Sequence, residues 1–165
     1  MMETRYVLFH IGEQEYCVDI DYVEGINKIK DFKILKVPNT QGFVEGIINL
    51  RGSVIPLYNL RKKFQFEDTH FSKDSEILIV TTKGMKVGFI VDIVLDIIKL
   101  NDKDIDLSTN LFTQVSSEFI YGIGKADDRM LIILDVAHIL SKEEREQIAP
   151  ISQKESSTEQ NSFTA

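Results

Sequence analysis

The chain has 165 residues, of which 43% are hydrophobic and 27% charged, a balance typical of one soluble globular domain or two very small ones. Its net charge of −7 argues against binding to nucleic acid or anionic membranes, because both are negatively charged themselves. The single cysteine excludes an intramolecular disulfide and any metal site built on paired cysteines.

The predicted elements are mostly short strands. Apolar stretches rich in Val, Ile and Phe follow one another at residues 6–11, 16–20, 46–50, 54–58, 77–81, 87–91 and 130–134. Their length and β-branching favour strands over helices, and Gly12 and Gly84 stand where tight hairpin turns are expected. Near the end, residues 141–149 carry a capping-box helix pattern that stops at Pro150, and residues 151–165 have the composition of a disordered tail.

No segment of the sequence predicts a membrane anchor or a leader. The apolar stretches are far shorter than the roughly 20 residues that span a bilayer, and the N-terminus has no basic head followed by an apolar core. We therefore predict a cytoplasmic protein that does not insert into membranes.

The chain contains an internal repeat. Residues 6–26 align without gaps over residues 77–97, an offset of 71, and residues 43–60 align over residues 119–136, an offset of 76. The second alignment matches Phe43 with Phe119 and Gly46 with Gly122. Two ungapped alignments in the same order indicate two copies of one β unit with about five strands each. Closing each copy into a barrel removes the exposed sheet edges, and two packed barrels leave a groove at their junction.

The repeat predicts an all-β fold of two five-stranded barrels packed around a hydrophobic groove, with a short C-terminal helix. We assign residues 15–75 to the first barrel, and residues 5–14 together with 76–140 to the second. The helix at 141–149 completes a domain of residues 1–150, and the tail at 151–165 follows it.

The sequence shows no catalytic constellation. Cys17 lies within a predicted strand and is interpreted as a small buried residue. Alternating aspartates at residues 102–106 resemble a calcium loop, but Leu107 stands where that loop needs glycine. The three histidines lack the spacing of a metal site: His10, His70 and His138. We therefore predict no enzymatic activity, no metal and no cofactor.

Three phenylalanines, Phe64, Phe66 and Phe71, lie in a charged connection between predicted strands. Aromatic side chains in such a loop either cover the core or anchor a partner protein. We favour the first interpretation.

The motif GIINLRG at residues 46–52, followed by VIP at 54–56 and NLR at 59–61, resembles the signature of the CheW family of bacterial chemotaxis coupling proteins. Similar stretches at 16–20, 37–38, 88–92 and 128–132 extend the resemblance over residues 5–148. It implies two SH3-like five-stranded barrels around a hydrophobic groove, in agreement with the repeat. It also implies a non-catalytic adaptor that links the cytoplasmic tips of transmembrane chemoreceptors to the histidine kinase CheA, whose regulatory domain is itself CheW-like.

The resemblance further implies the residues that carry this function. Val23 and Val94 fall at equivalent places in the two repeats, as the walls of one groove should, although core packing would also explain them. The glycines could equally serve backbone conformation alone. The expected receptor-binding residues are Val23, Glu24, Arg51, Val94 and Ile97, and the expected kinase-binding residues are Gly46, Gly52 and Val54.

The sequence departs from the family pattern at two positions. Many members have a glutamate two residues after the valine that matches Val23, where it can pair with the arginine that matches Arg51, but this chain has Gly25 there. Glu24 can take that role only if the strand is irregular, because adjacent strand residues point to opposite faces. Asn59 replaces the usual aspartate, which removes a charge but keeps a helix-capping acceptor.

Three other functions stay open at this point. The chain could be a coupling protein of a related pathway such as pilus-based motility, a β-barrel that binds a small ligand, or a hydrolase that uses scattered carboxylates. Within the chemotaxis interpretation, the expected location is the cytoplasm, with recruitment to receptor arrays at the membrane.

Overall fold

The structure is a computed structural model that describes residues 3–38, 40, 42–107 and 119–139. These residues form eleven strands and two short α-helices, α1 (Leu60–Lys63) and α2 (Val136–Ile139), with single 3-10 turns at Ile20–Tyr22, Ile29–Asp31 and Asp102–Asp104. The strands are β1 (Glu3–Ile11), β2 (Gln14–Asp19), β3 (Val23–Lys28), β4 (Val44–Leu50), β5 (Ser53–Asn59), β6 (Glu76–Thr82), β7 (Met85–Val91), β8 (Ile93–Asn101), β9 (Ile105–Asp106), β10 (Ile120–Ala126) and β11 (Arg129–Leu134). The predicted helix at 141–149 and tail at 151–165 lie outside the described residues.

The strands form two sheets that share one strand order. The order is β3-β6-β7-β5-β4 in the first sheet and β8-β1-β2-β11-β10-β9 in the second. The first five positions of the two orders correspond one to one under the offsets of 71 and 76 residues. The internal repeat read from the sequence is therefore confirmed, and β9 adds a short sixth strand to the second sheet.

In each sheet a short segment of chain connects the two edges, as in a closed barrel. In the six-stranded sheet, the edge strands β8 and β9 follow each other in the chain and are separated only by the turn Asp102–Asp104. In the five-stranded sheet, the chain leaves β3, turns at Ile29–Asp31 and pairs Leu35 with Ile47 of β4. The predicted all-β fold of two barrels is confirmed.

The predicted division of the chain between the barrels is wrong at two places. β2 stays with β1, its hairpin partner, and β6 and β7 belong with β3 and β5. Barrel 1 is therefore residues 23–91, and barrel 2 is residues 3–19 together with 93–134. A boundary at residue 15 would divide a tight hairpin between two sheets, which its paired register does not allow.

The central strands are buried on both faces, which explains their almost continuous apolar sequence. In β6, Ile77 and Ile79 fill barrel 1, whereas Leu78 and Val80 belong to the cluster between the barrels. Residues 6–9 of β1 alternate in the same way between the interior of barrel 2 and this cluster. We call the cluster between the barrels the junction cluster. It is the largest of the three hydrophobic clusters among the described residues and joins the barrels into one body. Its fully buried members include Phe9, Val18, Tyr58, Leu60, Leu78, Val80, Val87 and Phe89.

Cys17 lies in the interior of barrel 2 and is fully buried, as predicted. Burial raises the pKa of its thiol to about 12. We expect a disulfide reagent at pH 8 to label the folded protein at least about 100-fold more slowly than the urea-unfolded chain, because the thiolate is the reactive form. Absorbance of the released thiol measures both rates, and similar rates would contradict the burial of this residue.

Candidate functional site

The edge strands β3 and β8 carry the valines that the sequence singled out. Val23 and Val94 are half-buried, and both pack against the junction cluster. Each lies beside a β-bulge at the equivalent point of its barrel, since Glu24 and Leu95 have no partner residue in the pairings with β6 and β1. The repeat therefore brings Val23 and Val94 to equivalent places at the junction.

Larger aliphatic side chains on the same two strands are exposed. Ile97, predicted from the sequence, is 52% exposed, and Ile26 at the equivalent position of barrel 1 is 45% exposed. Sequence reasoning missed Ile26, Ile93 and Leu95, although the repeat already equated Ile26 with Ile97. Exposed aliphatic residues on the edge strands of two packed barrels are typical of a protein interaction surface. We define the aliphatic edge as Val23, Ile26, Ile93, Val94, Leu95 and Ile97.

Arg51 occupies the two-residue turn between β4 and β5. Its φ is 52°, and Gly52 follows with a φ of 88°. The Asn49 carboxamide oxygen accepts a hydrogen bond from the Gly52 amide at 2.9 Å, which fixes this turn. Arg51 is exposed, and its guanidinium makes no hydrogen bond or ion pair with any residue that the structure describes.

Glu24 does not take the role of the missing glutamate beside Arg51. The strand is irregular there, as that role would need, but the Glu24 carboxylate lies 3.3 Å from Lys86 Nζ. Two groups lower the pKa of Glu24: the nearby Thr81 hydroxyl has the largest single effect, and Lys86 adds to it. The Thr81 hydroxyl is close enough to act on the carboxylate but is not positioned to form a hydrogen bond with it. Glu24 is thus already paired within barrel 1.

Glu24, Lys86 and Arg51 line one open cleft of about 430 Å³ on barrel 1. Leu50, Ile55 and Ile79 contribute apolar surface to it. The cleft therefore combines an aliphatic surface with two cations and one carboxylate.

The three residues predicted to bind the kinase differ in accessibility. Gly52 is exposed at the turn, and Val54 is half-buried on β5. Gly46 is buried with a φ of 150°, and a Cβ built on it would overlap the Leu35 carbonyl oxygen. A buried glycine offers no surface to a partner, so we assign Gly46 a packing role rather than a contact with the kinase.

The second arginine of the motif is structural. Arg61 Nη2 donates to the Asp92 carboxylate at 2.8 Å, and the Gly12 amide donates to the same oxygen at 2.7 Å. This arrangement links α1 of barrel 1 to the β1–β2 hairpin of barrel 2. Asn59 caps α1 by accepting from the Arg61 and Lys62 amides, which confirms its predicted capping role.

The aromatic loop residues cover the core, in agreement with the favoured interpretation. Phe64 stacks between Tyr16 and Phe119, with ring centroids 5.9 and 5.8 Å away. Phe66 packs against the junction cluster and Phe71 against the interior of barrel 1.

The residues considered for chemistry lie in separate structural settings. His70 pairs with Asp68 within an exposed loop, and His138 of α2 pairs with Asp135, the residue before that helix. The Asp104 carboxylate accepts from the Asn101 amide within the aspartate-rich turn. The described ranges contain no group of three or more His, Cys, Asp or Glu side chains that could hold a metal ion. They also contain no helix that is long and apolar enough to cross a bilayer.

Comparisons with known proteins agree on one family. A family model described as "CheW-like domain" matches residues 5–144. The chain is 35% identical over 147 residues to "Chemotaxis protein CheW" of Thermotoga maritima, covering 86% of this chain and 91% of that protein. It is 30% identical over 140 residues to the protein of the same name from Klebsiella aerogenes, covering 85% and 83%. The crystal structure of "scaffolding protein TtCheW" from Thermoanaerobacter tengcongensis is 38% identical, with a TM-score of 0.79, covering 88% of this chain and 97% of that chain.

Proposed function

Because the chain belongs to the CheW-like family of chemotaxis scaffold proteins, we propose that it is a non-catalytic adaptor that couples transmembrane chemoreceptors to the histidine kinase CheA. The aliphatic edge carries this proposal, since it leaves large apolar side chains exposed on equivalent strands of both barrels. The protein acts in the cytoplasm, is recruited to receptor arrays at the membrane, and requires no cofactor.

The aliphatic edge supports binding of the cytoplasmic receptor tip. Ile97 is half exposed, and Val94 beside it is anchored in the junction cluster. When a partner covers these aliphatic side chains, removing their surface from water stabilises the complex by roughly 25 cal/mol per Å² of apolar area. We propose Val23, Val94 and Ile97 as receptor contacts, with Arg51 at the neighbouring cleft. Glu24, also expected from the family resemblance, borders this cleft but is paired with Lys86.

The β4–β5 hairpin of barrel 1 supports binding of the kinase. Gly52 is exposed at its turn, and Val54 follows on β5. We propose that the CheW-like regulatory domain of CheA docks at this barrel end on the side of Val54, since Ser53 and Ile55 line the Arg51 cleft and strand neighbours point to opposite faces.

The shared core supports coupling between the two surfaces. The junction cluster contains residues of both barrels, and the Arg61–Asp92 pair adds a polar link between them. One packed body fixes the positions of receptor and kinase relative to each other, so a receptor state that changes this placement would change the free energy of the kinase interface. Binding without catalysis is sufficient for this role.

The aspartate substitution Ile97→Asp tests the receptor surface. Ile97 is exposed, so the fold should tolerate the change, whereas a charge within an apolar contact should weaken receptor binding at least about tenfold. The measurement is the dissociation constant for a receptor cytoplasmic fragment from the same organism, followed by co-sedimentation with CheA.

Met130→Asp is the matched control, because Met130 is also an exposed aliphatic residue, 64% exposed, but lies on β11 away from the aliphatic edge. It should bind the receptor fragment as the wild type does. Equal loss of binding in both variants would contradict the assignment of the surface. Absence of assembly by the wild type with receptor and CheA would contradict the adaptor function itself.

A further inference from the structure

The two barrels carry opposite charges at the same turn position. Arg51 has a φ of 52°, and Asp127, 76 residues later, has a φ of 55° in the equivalent β10–β11 turn. Non-glycine residues are uncommon in this left-handed region, and Asp and Asn enter it far more readily than Arg. The fold therefore accepts an aspartate at this position, and nothing in the turn itself requires an arginine.

The charge of Arg51 is not balanced within its cleft. Lys86 and Glu24 neutralise each other at 3.3 Å, and Arg51 has no ion-pair partner among the described residues. The cleft thus keeps one uncompensated positive charge in a chain whose net charge is −7. Beside this charge lie Leu50 and the half-exposed Ile26, so the cleft is complementary to a carboxylate that is flanked by an aliphatic side chain.

Lys86 pairs with Glu24, the carboxylate residue that lines the Arg51 cleft. Lys86 is an exposed residue of β7, and its ammonium pairs with the carboxylate of Glu24, the residue of the β3 bulge that has no partner on β6. Lys86 and Arg51 are the two cations lining the cleft that Glu24 also lines. Without Lys86, Glu24 would have Arg51 as its cationic neighbour in the cleft. In barrel 2, the residue equivalent to Lys86 is Glu15, which pairs with Arg129.

We propose that the barrel 1 cleft binds an acidic side chain of the receptor tip through Arg51, and that Lys86 is a positioning residue that keeps Arg51 available by holding Glu24. This inference rests on the proposed receptor-coupling function and names the chemistry of one contact within it. It assigns Lys86, which sequence reasoning had not considered, a part in selecting acidic partners.

The test is a set of dissociation constants for a receptor cytoplasmic fragment, measured by biolayer interferometry. We expect Arg51→Gln to weaken binding about tenfold and Lys86→Gln about fivefold, since each removes or diverts one charge-assisted contact. Lys86→Arg retains a cation beside Glu24 and should bind as the wild type does. Adding Glu24→Gln to Lys86→Gln removes the competing carboxylate and should restore binding to within about twofold of wild type.

The ionic strength provides a second readout on folded protein. Raising NaCl from about 50 to about 300 mM should weaken wild-type binding several-fold more than it weakens binding of Arg51→Gln, because salt screens the partly exposed ion pair. Circular dichroism checks that every variant is folded.

The outcomes separate this inference from the function on which it rests. A wild-type protein that does not bind the receptor fragment would refute the adaptor function. If the wild type binds but Arg51→Gln binds equally well, the acidic contact is refuted. If Lys86→Gln weakens binding and Glu24→Gln fails to restore it, Lys86 is not the positioning residue that we propose.

Discussion

Gly46→Ala is expected to lower the free energy of unfolding by about 4 kcal/mol, a large part of the roughly 5–15 kcal/mol that stabilises a typical domain. A Cβ at this position would overlap the Leu35 carbonyl oxygen and lie 2.8 Å from Ile34 Cγ2. The backbone of Leu35 cannot easily move, because its N–H and C=O both bond to Ile47 of β4, at 2.9 and 2.8 Å. The φ of 150° adds backbone strain for any residue with a side chain. Urea unfolding followed by circular dichroism measures the effect.

Two other glycines are the matched controls for Gly46. A Cβ at Gly42 would meet nothing within 4 Å, so Gly42→Ala should change the stability by less than about 0.5 kcal/mol. Gly52 also has open space but a φ of 88°, so Gly52→Ala isolates the backbone strain, about 1 kcal/mol. If Gly46→Ala is no less stable than Gly52→Ala, the close approach of Leu35, in the segment between β3 and β4, is not what makes glycine necessary at residue 46.

Asp92→Ala is expected to destabilise the protein by about 2–3 kcal/mol. The substitution removes the closer carboxylate partner of the Arg61 guanidinium, whose side chain is only 15% exposed, and leaves the exposed Asp68 carboxylate at 4.0 Å. It also leaves the Gly12 amide without its acceptor. Asp92 is 33% exposed, so solvent moderates the loss and keeps the expected value below that of a fully buried pair. Chemical denaturation measures this effect as well.

A double-mutant cycle separates the interaction energy of the Arg61–Asp92 pair from the other effects of truncating Arg61 or Asp92. Arg61→Ala and Asp92→Ala should be non-additive by at least about 1 kcal/mol when combined, because each removes the same ion pair. Arg129→Ala breaks the more exposed pair with Glu15 and should cost only about 0.5 kcal/mol. Additive losses, or an Asp92→Ala loss no larger than that of Arg129→Ala, would show that this link contributes little.

These two predictions bear on different parts of the proposed adaptor. Gly46 allows the segment between β3 and β4 to pack closely on β4 at Leu35 and so close barrel 1, which carries the Arg51 cleft. Asp92 connects the barrels directly, so its loss should disturb the relative placement of the two halves of the aliphatic edge. A destabilised but folded Asp92→Ala protein with normal receptor binding would mean that the junction cluster alone holds the barrels in place.

The sequence by itself determined the strands, their period and the repeat. The length and β-branching of an apolar stretch are local features, so residues 77–81 and 87–91 could be recognised as strands. The repeat predicted the equivalence of Val23 with Val94 because two copies of one unit must place matching residues alike. The same logic identified Gly46 and Gly122 as a pair, and a Cβ on either would meet a backbone carbonyl oxygen of a neighbouring segment, that of Leu35 or of Asp106.

Only the tertiary structure decided which strands share a barrel and which charges meet. The motif at residues 46–61 contains two arginines, and the sequence could not say that Asp92, 31 residues beyond Arg61, would bind one while the other stayed unpaired. Likewise, Glu24 could be expected beside Arg51, but a bulge and the pairing of β6 with β7 bring Lys86 to it instead. Strand assignment follows local periodicity, whereas ion pairs and barrel membership depend on contacts between distant residues that are set when the sheets close.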